Sequence, residues 1–168
     1  MNTVTMHGAP LDLEGALVHE GQKAPDFTLL DNALNPRTLK DYAGKVLIVA
    51  TVPSLDTGVC DTEVRRFNKE AAALSDDIRI LAVSCDLPFA QARWCGAAGI
   101  KAVETLSDPR DLAFGKSYGV LIPALRLLAR AVFVINREGD VVYAHVVPEI
   151  GQEPDYAAAL DAAKKALG

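Results

Sequence analysis

A seven-residue run of apolar and β-branched side chains, Val46 to Val52, most constrains how this chain can fold. A strand that is buried on both faces has this pattern. The period changes after the run, where Cys60, Val64 and Phe67 are spaced as on one face of a helix. A buried strand that leads into a helix predicts a sheet with parallel strands covered by helices.

Beyond this segment, predicted strands and helices continue to alternate, and the chain ends with a hairpin and a helix. Around Gly8, residues 4–18 alternate apolar and polar side chains, which predicts an N-terminal hairpin. Asp86 is the expected N-cap of a helix that ends at Gly99. We further predict strands over 78–83 and 103–106, helices over 88–98, 111–118 and 154–167, and a hairpin of strands 131–135 and 141–147. This order indicates an α/β domain with a mixed sheet.

Composition limits the classes of function. The 168 residues carry 17 basic and 22 acidic side chains, a net charge of −5, which argues against non-specific nucleic-acid binding. No run of about 18 apolar residues is present, so we expect no membrane span. The length fits a single domain, residues 1–168. The first ten residues show no basic segment ahead of an apolar stretch, so we expect a cytoplasmic location.

The cysteines are the candidate reactive groups. Cys60, Cys85 and Cys95 are too few for a disulfide scaffold, and no two of them form a C-x-x-C pair. That spacing excludes both a zinc knuckle and a thioredoxin-type dithiol. The three histidines are scattered and lack the spacing of metal ligands. Two interpretations remain: inert buried thiols, or a redox pair that is distant in sequence.

Cys60 has the strongest case for reactivity. It lies in the first turn of its predicted helix, where partial positive charge and unpaired N–H groups stabilise a thiolate, the nucleophilic form. Thr57 would cap that helix or orient a substrate, and Pro53 fixes the direction of the loop. Alternatively, Cys60 is only a small apolar residue on a buried face. The Pro-x-x-x-Thr-x-x-Cys spacing on a strand-to-helix loop favours the reactive interpretation.

Three ordered blocks of sequence carry a resemblance. They are Val52-Pro-Ser-Leu-Asp-Thr-Gly-Val-Cys60, Asp86-Leu-Pro-Phe-Ala-Gln-Ala-Arg-Trp-Cys-Gly96 and Leu128-Ala-Arg-Ala-Val-Phe-Val-Ile135. Together with Glu153-Pro-Asp-Tyr-Ala-Ala-Ala-Leu160, these blocks resemble the peroxiredoxins, and the thiol peroxidase subfamily in particular, over nearly the whole chain.

The resemblance implies a thioredoxin-like fold, with a mixed central sheet, flanking helices and an N-terminal β-hairpin extension. It also implies a homodimeric, thioredoxin-dependent peroxidase that needs no metal or organic cofactor. Such an enzyme reduces hydrogen peroxide and organic hydroperoxides, including alkyl and lipid hydroperoxides, to water and alcohols.

The resemblance also assigns the site. Cys60 becomes the peroxidatic cysteine and Cys95 the resolving one, joined by an intramolecular Cys60–Cys95 disulfide. Pro53, Thr57 and Arg130 complete the active site. We hypothesise that the two cysteines start too far apart for a disulfide, whose Cα atoms lie within about 7 Å, and that local unfolding of their helices closes the gap.

Several alternatives stay open. Arg126 competes with Arg130 for the role of the catalytic arginine, although the resemblance favours Arg130. Cys85, with apolar neighbours, is interpreted as structural, yet it lies downstream of Cys60 and competes as the resolving thiol. We assign the apolar stretch 121–128 to an interface. Two other functions compete with a peroxidase: a protein disulfide oxidoreductase, disfavoured by the missing C-x-x-C, and a redox sensor or holdase that uses the same disulfide.

Overall fold

Strands and helices alternate through the middle of the chain, as the sequence predicts. The computed structural model describes residues 2–71, 73–108 and 110–168. The strands are β1 (Thr3–Met6), β2 (Ala9–Asp12), β3 (Thr28–Leu30), β4 (Pro36–Thr38), β5 (Val46–Thr51), β6 (Ile78–Ser84), β7 (Val103–Ser107), β8 (Leu121–Ile122), β9 (Leu127–Leu128), β10 (Ala131–Ile135) and β11 (Val141–Val146). The α-helices are α1 (Gly58–Ala71), α2 (Pro88–Ala98), α3 (Ala113–Ser117) and α4 (Tyr156–Leu167), and Leu39–Tyr42 forms a 3-10 turn.

A seven-stranded mixed sheet organises the fold, in the order β11-β10-β5-β6-β7-β3-β4. Strands β5, β6 and β7 are parallel neighbours at its centre. Strand β10 runs antiparallel to β5, and β11 runs antiparallel to β10. Every residue of β5 is buried, which confirms that this strand is covered on both faces. The mixed α/β fold and the N-terminal hairpin, β1 with β2, are therefore both confirmed.

The two faces of the sheet bury separate apolar cores. Alternate residues of a strand point to opposite faces, so Ile48 and Ala50 contribute to one core while Leu47 and Val49 contribute to the other. The first core contains the buried sides of α1 and α4 and an edge-to-face ring pair, Phe67 with Tyr156, at 5.2 Å. The second contains Phe114, Tyr118 and the β8–β9 segment. Cys60, in the first turn of α1, contributes its side chain to the first core.

Helix α2 begins and ends at the residues that the sequence predicts, but its cap differs. Gly99 ends it with a left-handed φ of 68°, and the Gly99 cap amide bonds back to Cys95, a geometry that glycine adopts at little cost. The N-cap position is Leu87, with no side-chain cap. The prediction that Asp86 caps this helix is therefore wrong, because its carboxylate is occupied by the loop before α1.

Several other elements begin or end at residues that differ from the predicted ones. The N-terminal hairpin ends at Asp12, short of residue 18. Helix α3 covers only 113–117 of the predicted 111–118, and α4 starts at Tyr156, where Asp155 accepts a hydrogen bond from the Ala158 amide at 3.0 Å. The short strands β3, β4, β8 and β9 were not predicted.

Burial removes only the two ends of the 121–128 stretch from the predicted interface, since residues 123–126 are exposed. Leu121, Ile122 and Leu128 are each at most 2 % exposed, because β8 and β9 pair and turn these side chains into the core. Only Leu125, at 40 %, is an exposed large apolar residue there. Across the described residues, no helix is both long and apolar enough to cross a membrane.

Candidate active site

The loop between β5 and α1 delivers Cys60 to the carboxyl edge of the sheet. Pro53 is buried where the chain leaves β5, and Cys60 is the third residue of α1, with a fully buried side chain. Asp86 holds the loop by accepting hydrogen bonds from the Ser54 hydroxyl at 2.7 Å and the Leu55 amide at 2.8 Å. The side chain that was expected to cap α2 therefore fixes the approach to Cys60.

Arg130 reaches the same point from the neighbouring strand. Ala131, the first residue of β10, pairs with Thr51, the last residue of β5, which places Arg130 beside the start of the Cys60 loop. Its side chain is almost fully buried, and Nη2 donates to the Cys60 Sγ at 3.2 Å. Nε and Nη2 also donate to the Ile150 carbonyl at 3.0 and 2.8 Å. These bonds fix the guanidinium in the plane that faces the sulfur.

The competing arginine lies elsewhere. Arg126 is exposed, and its guanidinium donates to the backbone carbonyl of Arg110 at 3.4 Å. Only Arg130 of this pair contacts Cys60 in the structure.

Glu63 is a third buried charged residue at the site, and it was not predicted from the sequence. It forms a salt bridge with Arg130 Nη1, and its side chain has no exposed surface. One of its oxygens lacks a hydrogen-bond partner among the described residues. Burial raises the pKa of Glu63 to about 7, although the attraction of Arg130 works in the opposite direction. Its position three residues after Cys60, within the apolar stripe of α1, was a signal available in the sequence.

The charge of Arg130 is secure. Burial alone would lower the pKa of Arg130, but the negative charges of Cys60 and Glu63 raise it above its usual value. The guanidinium therefore remains a cation that is shared between the sulfur and the carboxyl group.

Thr57 lies on the exposed side of the site. Its hydroxyl donates to the Ser54 carbonyl at 3.0 Å, so its hydrogen bond runs into the loop and not into the helix. The carbonyl of Thr57 accepts from the Asp61 amide at 3.0 Å. Because its proton is committed to Ser54, the Thr57 hydroxyl oxygen can act only as an acceptor toward a further partner.

Cys95 lies away from this cluster, half-buried on α2. Its Sγ is 3.3 Å from the Thr105 hydroxyl, which donates in turn to Asn32 at 2.9 Å. All three cysteines are unbridged. The structure therefore brings Cys60 and Arg130 into contact and leaves Cys95 on a separate contact.

Cys85 is held as a thiol. It is half-buried after β6, and burial, with smaller contributions from the nearby charges of Asp108 and Asp86, raises its pKa to about 12. A thiol with so high a pKa is a weak nucleophile at neutral pH. Among the described residues, no cluster of histidine, cysteine and carboxylate side chains is arranged to hold a metal ion.

Comparison with known proteins gives concordant results. The family model described as Redoxin matches residues 19–160. A thiol peroxidase of Halalkalibacterium halodurans is 56% identical over 167 residues, which covers 99% of this chain and 100% of that protein. A thiol peroxidase of Bacillus subtilis is 54% identical over 164 residues, 98% of both chains. The crystal structure of a peroxiredoxin-like protein from Aquifex aeolicus, 39% identical, superposes with a TM-score of 0.92 over 99% of this chain and 98% of that one.

Proposed function

Because the chain belongs to the Redoxin family, within its group of peroxide-reducing thiol peroxidases, we propose that Cys60 is the residue that attacks the peroxide. One observation carries the assignment: a buried sulfur whose hydrogen-bond donor is a cation, Arg130, at 3.2 Å. A buried sulfur is protected from bulk water, and a cationic donor stabilises its ionised form.

The first step forms a sulfenic acid. The Cys60 thiolate attacks one peroxide oxygen, an S–O bond forms, and the O–O bond breaks. The leaving oxygen departs as hydroxide or alkoxide and takes up a proton to give water or an alcohol. Arg130 stabilises the thiolate and then the charge that moves onto the peroxide oxygens. The Thr57 hydroxyl oxygen accepts a hydrogen bond from the peroxide O–H and orients the peroxide. Buried Pro53 keeps water from the sulfur.

The second step removes the sulfenic acid. The Cys95 sulfur attacks the Cys60 sulfur, an S–S bond forms, and the S–O bond breaks, so that hydroxide leaves and is protonated to water. Thioredoxin then reduces the Cys60–Cys95 disulfide by thiol exchange. Cys85 is unsuited to this step because its high pKa keeps it protonated.

The chain would act as one domain, residues 1–168, in a cytoplasmic homodimer. Exposed apolar side chains at the start of α2 support a second copy as a partner, since Leu87 and Phe89 are 58 % and 67 % exposed. Both hydrogen peroxide and organic hydroperoxides are proposed substrates. The comparisons do not favour a redox sensor or holdase, which would not need rapid turnover.

The test is stopped-flow reaction of the reduced protein with hydrogen peroxide and with cumene hydroperoxide, followed by peptide mapping. Cys60→Ser should abolish the reaction, and Cys95→Ser should complete one turnover but stall with thioredoxin. Cys85→Ser is the matched control and should cycle normally. A disulfide between Cys60 and Cys85, or a Cys95→Ser enzyme that cycles at the normal rate, would contradict the proposal.

A further inference from the structure

A hydrogen bond joins the two cysteine-bearing helices next to their cysteines. The indole Nε1 of Trp94 donates to the Asp61 carboxylate at 2.8 Å. Asp61 follows Cys60 on α1, and Trp94 precedes Cys95 on α2. We propose that this bond is a latch: Asp61 and Trp94 keep α1 and α2 folded against each other and thereby set the rate at which Cys95 captures the Cys60 sulfenic acid. The inference rests on the proposed function of these two cysteines.

The folded arrangement keeps the two thiols apart. Cys60 contacts Arg130, beside the start of β10, whereas Cys95 contacts Thr105 on β7. The order β10-β5-β6-β7 separates these partners by three strand spacings, roughly 14 Å at about 4.8 Å each. Each thiol must therefore leave its own partner before the two can form a disulfide, whose Cα atoms lie within about 7 Å.

Cys95 is also held as a hydrogen-bond donor. The Thr105 hydroxyl proton is committed to Asn32 at 2.9 Å, so the bond between Thr105 and Cys95 uses the thiol proton of Cys95. The thiol is a poor attacking group in this contact, since the thiolate is the nucleophile. Release of α2 therefore both moves Cys95 and breaks its hydrogen bond with Thr105.

The latch adds to a small set of contacts that hold α2, which include the buried Gln91 Nε2, a donor to the Ser84 hydroxyl at 3.0 Å and to the Leu106 carbonyl at 2.9 Å. This helix has few buried side chains, Pro88 and Gln91, and its last turn contains Gly96, which weakens a helix relative to alanine. The indole ring packs against the core beneath α1, and Arg65 lies 5.7 Å from its centroid while forming a salt bridge with Asp61 at 2.8 Å. Loss of the indole N–H thus removes a specific tie between the helices without removing the ring.

The latch has a cost that can be measured. A sulfenic acid that waits for its partner can react with a second peroxide to give sulfinic acid, which is not recovered by thiols. A tighter latch lengthens this wait, so it increases over-oxidation at high peroxide concentration. A weaker latch shortens the wait and protects the enzyme.

Trp94→Phe is the direct test, because it keeps an aromatic ring and removes the donor. The rate of the first step with hydrogen peroxide should be unchanged. Disulfide formation should be about tenfold faster, a factor that corresponds to about 1.4 kcal/mol. Its rate is measured by rapid quench with a thiol-alkylating reagent and mass spectrometry. The sulfinic-acid fraction under excess peroxide should fall. Arg93→Gln, an exposed change on the same helix, is the control and should behave as wild type.

A double-mutant cycle separates a latch from general loosening of the fold. Asp61→Ala should also speed disulfide formation, but its effect should be much smaller in the Trp94→Phe background, because both variants break the same bond and only the exposed salt bridge with Arg65 is left to lose. Additive acceleration, or an unchanged or slower rate in Trp94→Phe, would overturn the latch while leaving the peroxidase mechanism in place. If oxidised wild-type protein held no Cys60–Cys95 disulfide, the proposed resolving role would fail, and the latch with it.

Discussion

Arg130 is the residue at which the electrostatics of the site can be tested most sharply, but its simple removal is ambiguous. Arg130→Ala would leave Glu63, which has no exposed surface, without its salt-bridge partner. Breaking a buried pair in this way costs about 3–5 kcal/mol of stability. A slow Arg130→Ala enzyme would therefore mix lost chemistry with lost folding.

A neutral pair removes that ambiguity. Arg130→Gln combined with Glu63→Gln keeps two amides that can bond to each other and leaves neither charge unpaired. A cation at 3.2 Å from the sulfur is worth about 5 kcal/mol to a thiolate at an effective dielectric constant of about 20. Loss of the Glu63 carboxylate, which opposes the thiolate, returns part of this energy. We expect a net loss of about 3 kcal/mol, on the order of a 100-fold slower reaction with peroxide.

The assay is the second-order rate constant for hydrogen peroxide by stopped flow, measured beside urea unfolding of the same variants. Glu63→Gln alone is the matched control: it keeps Arg130 and removes the competing carboxylate, so its rate should match or exceed that of wild type above pH of about 7. The double variant should be stably folded and slow. A folded double variant with a wild-type rate constant would refute the role of the guanidinium in activating Cys60.

Three other predictions concern the surroundings of the site. Burial raises the pKa of Glu63 from 4.5 to about 7, so between these two pH values the folded protein holds a proton that the unfolded chain releases. The free energy of unfolding should therefore fall as pH rises through this window. Urea midpoints at pH 5 and about 7.5 should show the fall in wild type but not in Glu63→Gln. Glu149 accepts a hydrogen bond from the Thr5 hydroxyl of the N-terminal hairpin at 2.7 Å, and the carbonyl of the next residue, Ile150, holds Arg130. Glu149→Ala should therefore slow the peroxide reaction about three- to tenfold. Glu149→Gln keeps an acceptor and should slow the reaction less. Cys85→Ser should leave both the rate and the disulfide unchanged, as measured by stopped flow and peptide mapping.

Strong periodicity made much of the fold predictable from sequence. Local chemistry defines two elements, the strand in the apolar run at 46–52 and helix α2 between its proline and its glycine. The predicted ends of both agree with the structure to within one residue. Strands β3 and β4 were missed because three residues each are too short to show alternation. Strand β4 pairs with β3, and β3 joins the sheet through β7, a distant partner that local sequence does not reveal.

The sequence motifs singled out Cys60 and Arg130, which are in contact in the structure, but not the buried acidic group beside them. Glu63 lies within the apolar stripe of α1, but the partner that compensates its burial, Arg130, is distant in sequence. Asp86 was assigned to the nearest helix, but the amide and hydroxyl that it binds belong to a loop about thirty residues earlier. In both cases the partner is distant in sequence, and the choice among possible partners is a property of the tertiary fold.

The direction of one strand explains why Arg130 and Cys60 meet. The carboxyl ends of parallel strands form the functional edge of such sheets, and Cys60 follows the carboxyl end of β5. Arg130 precedes β10, so it would lie at the opposite edge if β10 were parallel to β5. Because β10 is antiparallel, with Ala131 opposite Thr51, its first residues return to the functional edge. The Thr51 hydroxyl secures this crossing by donating to the Ala129 carbonyl at 2.7 Å, so the register of a single strand pair positions the cation beside the sulfur.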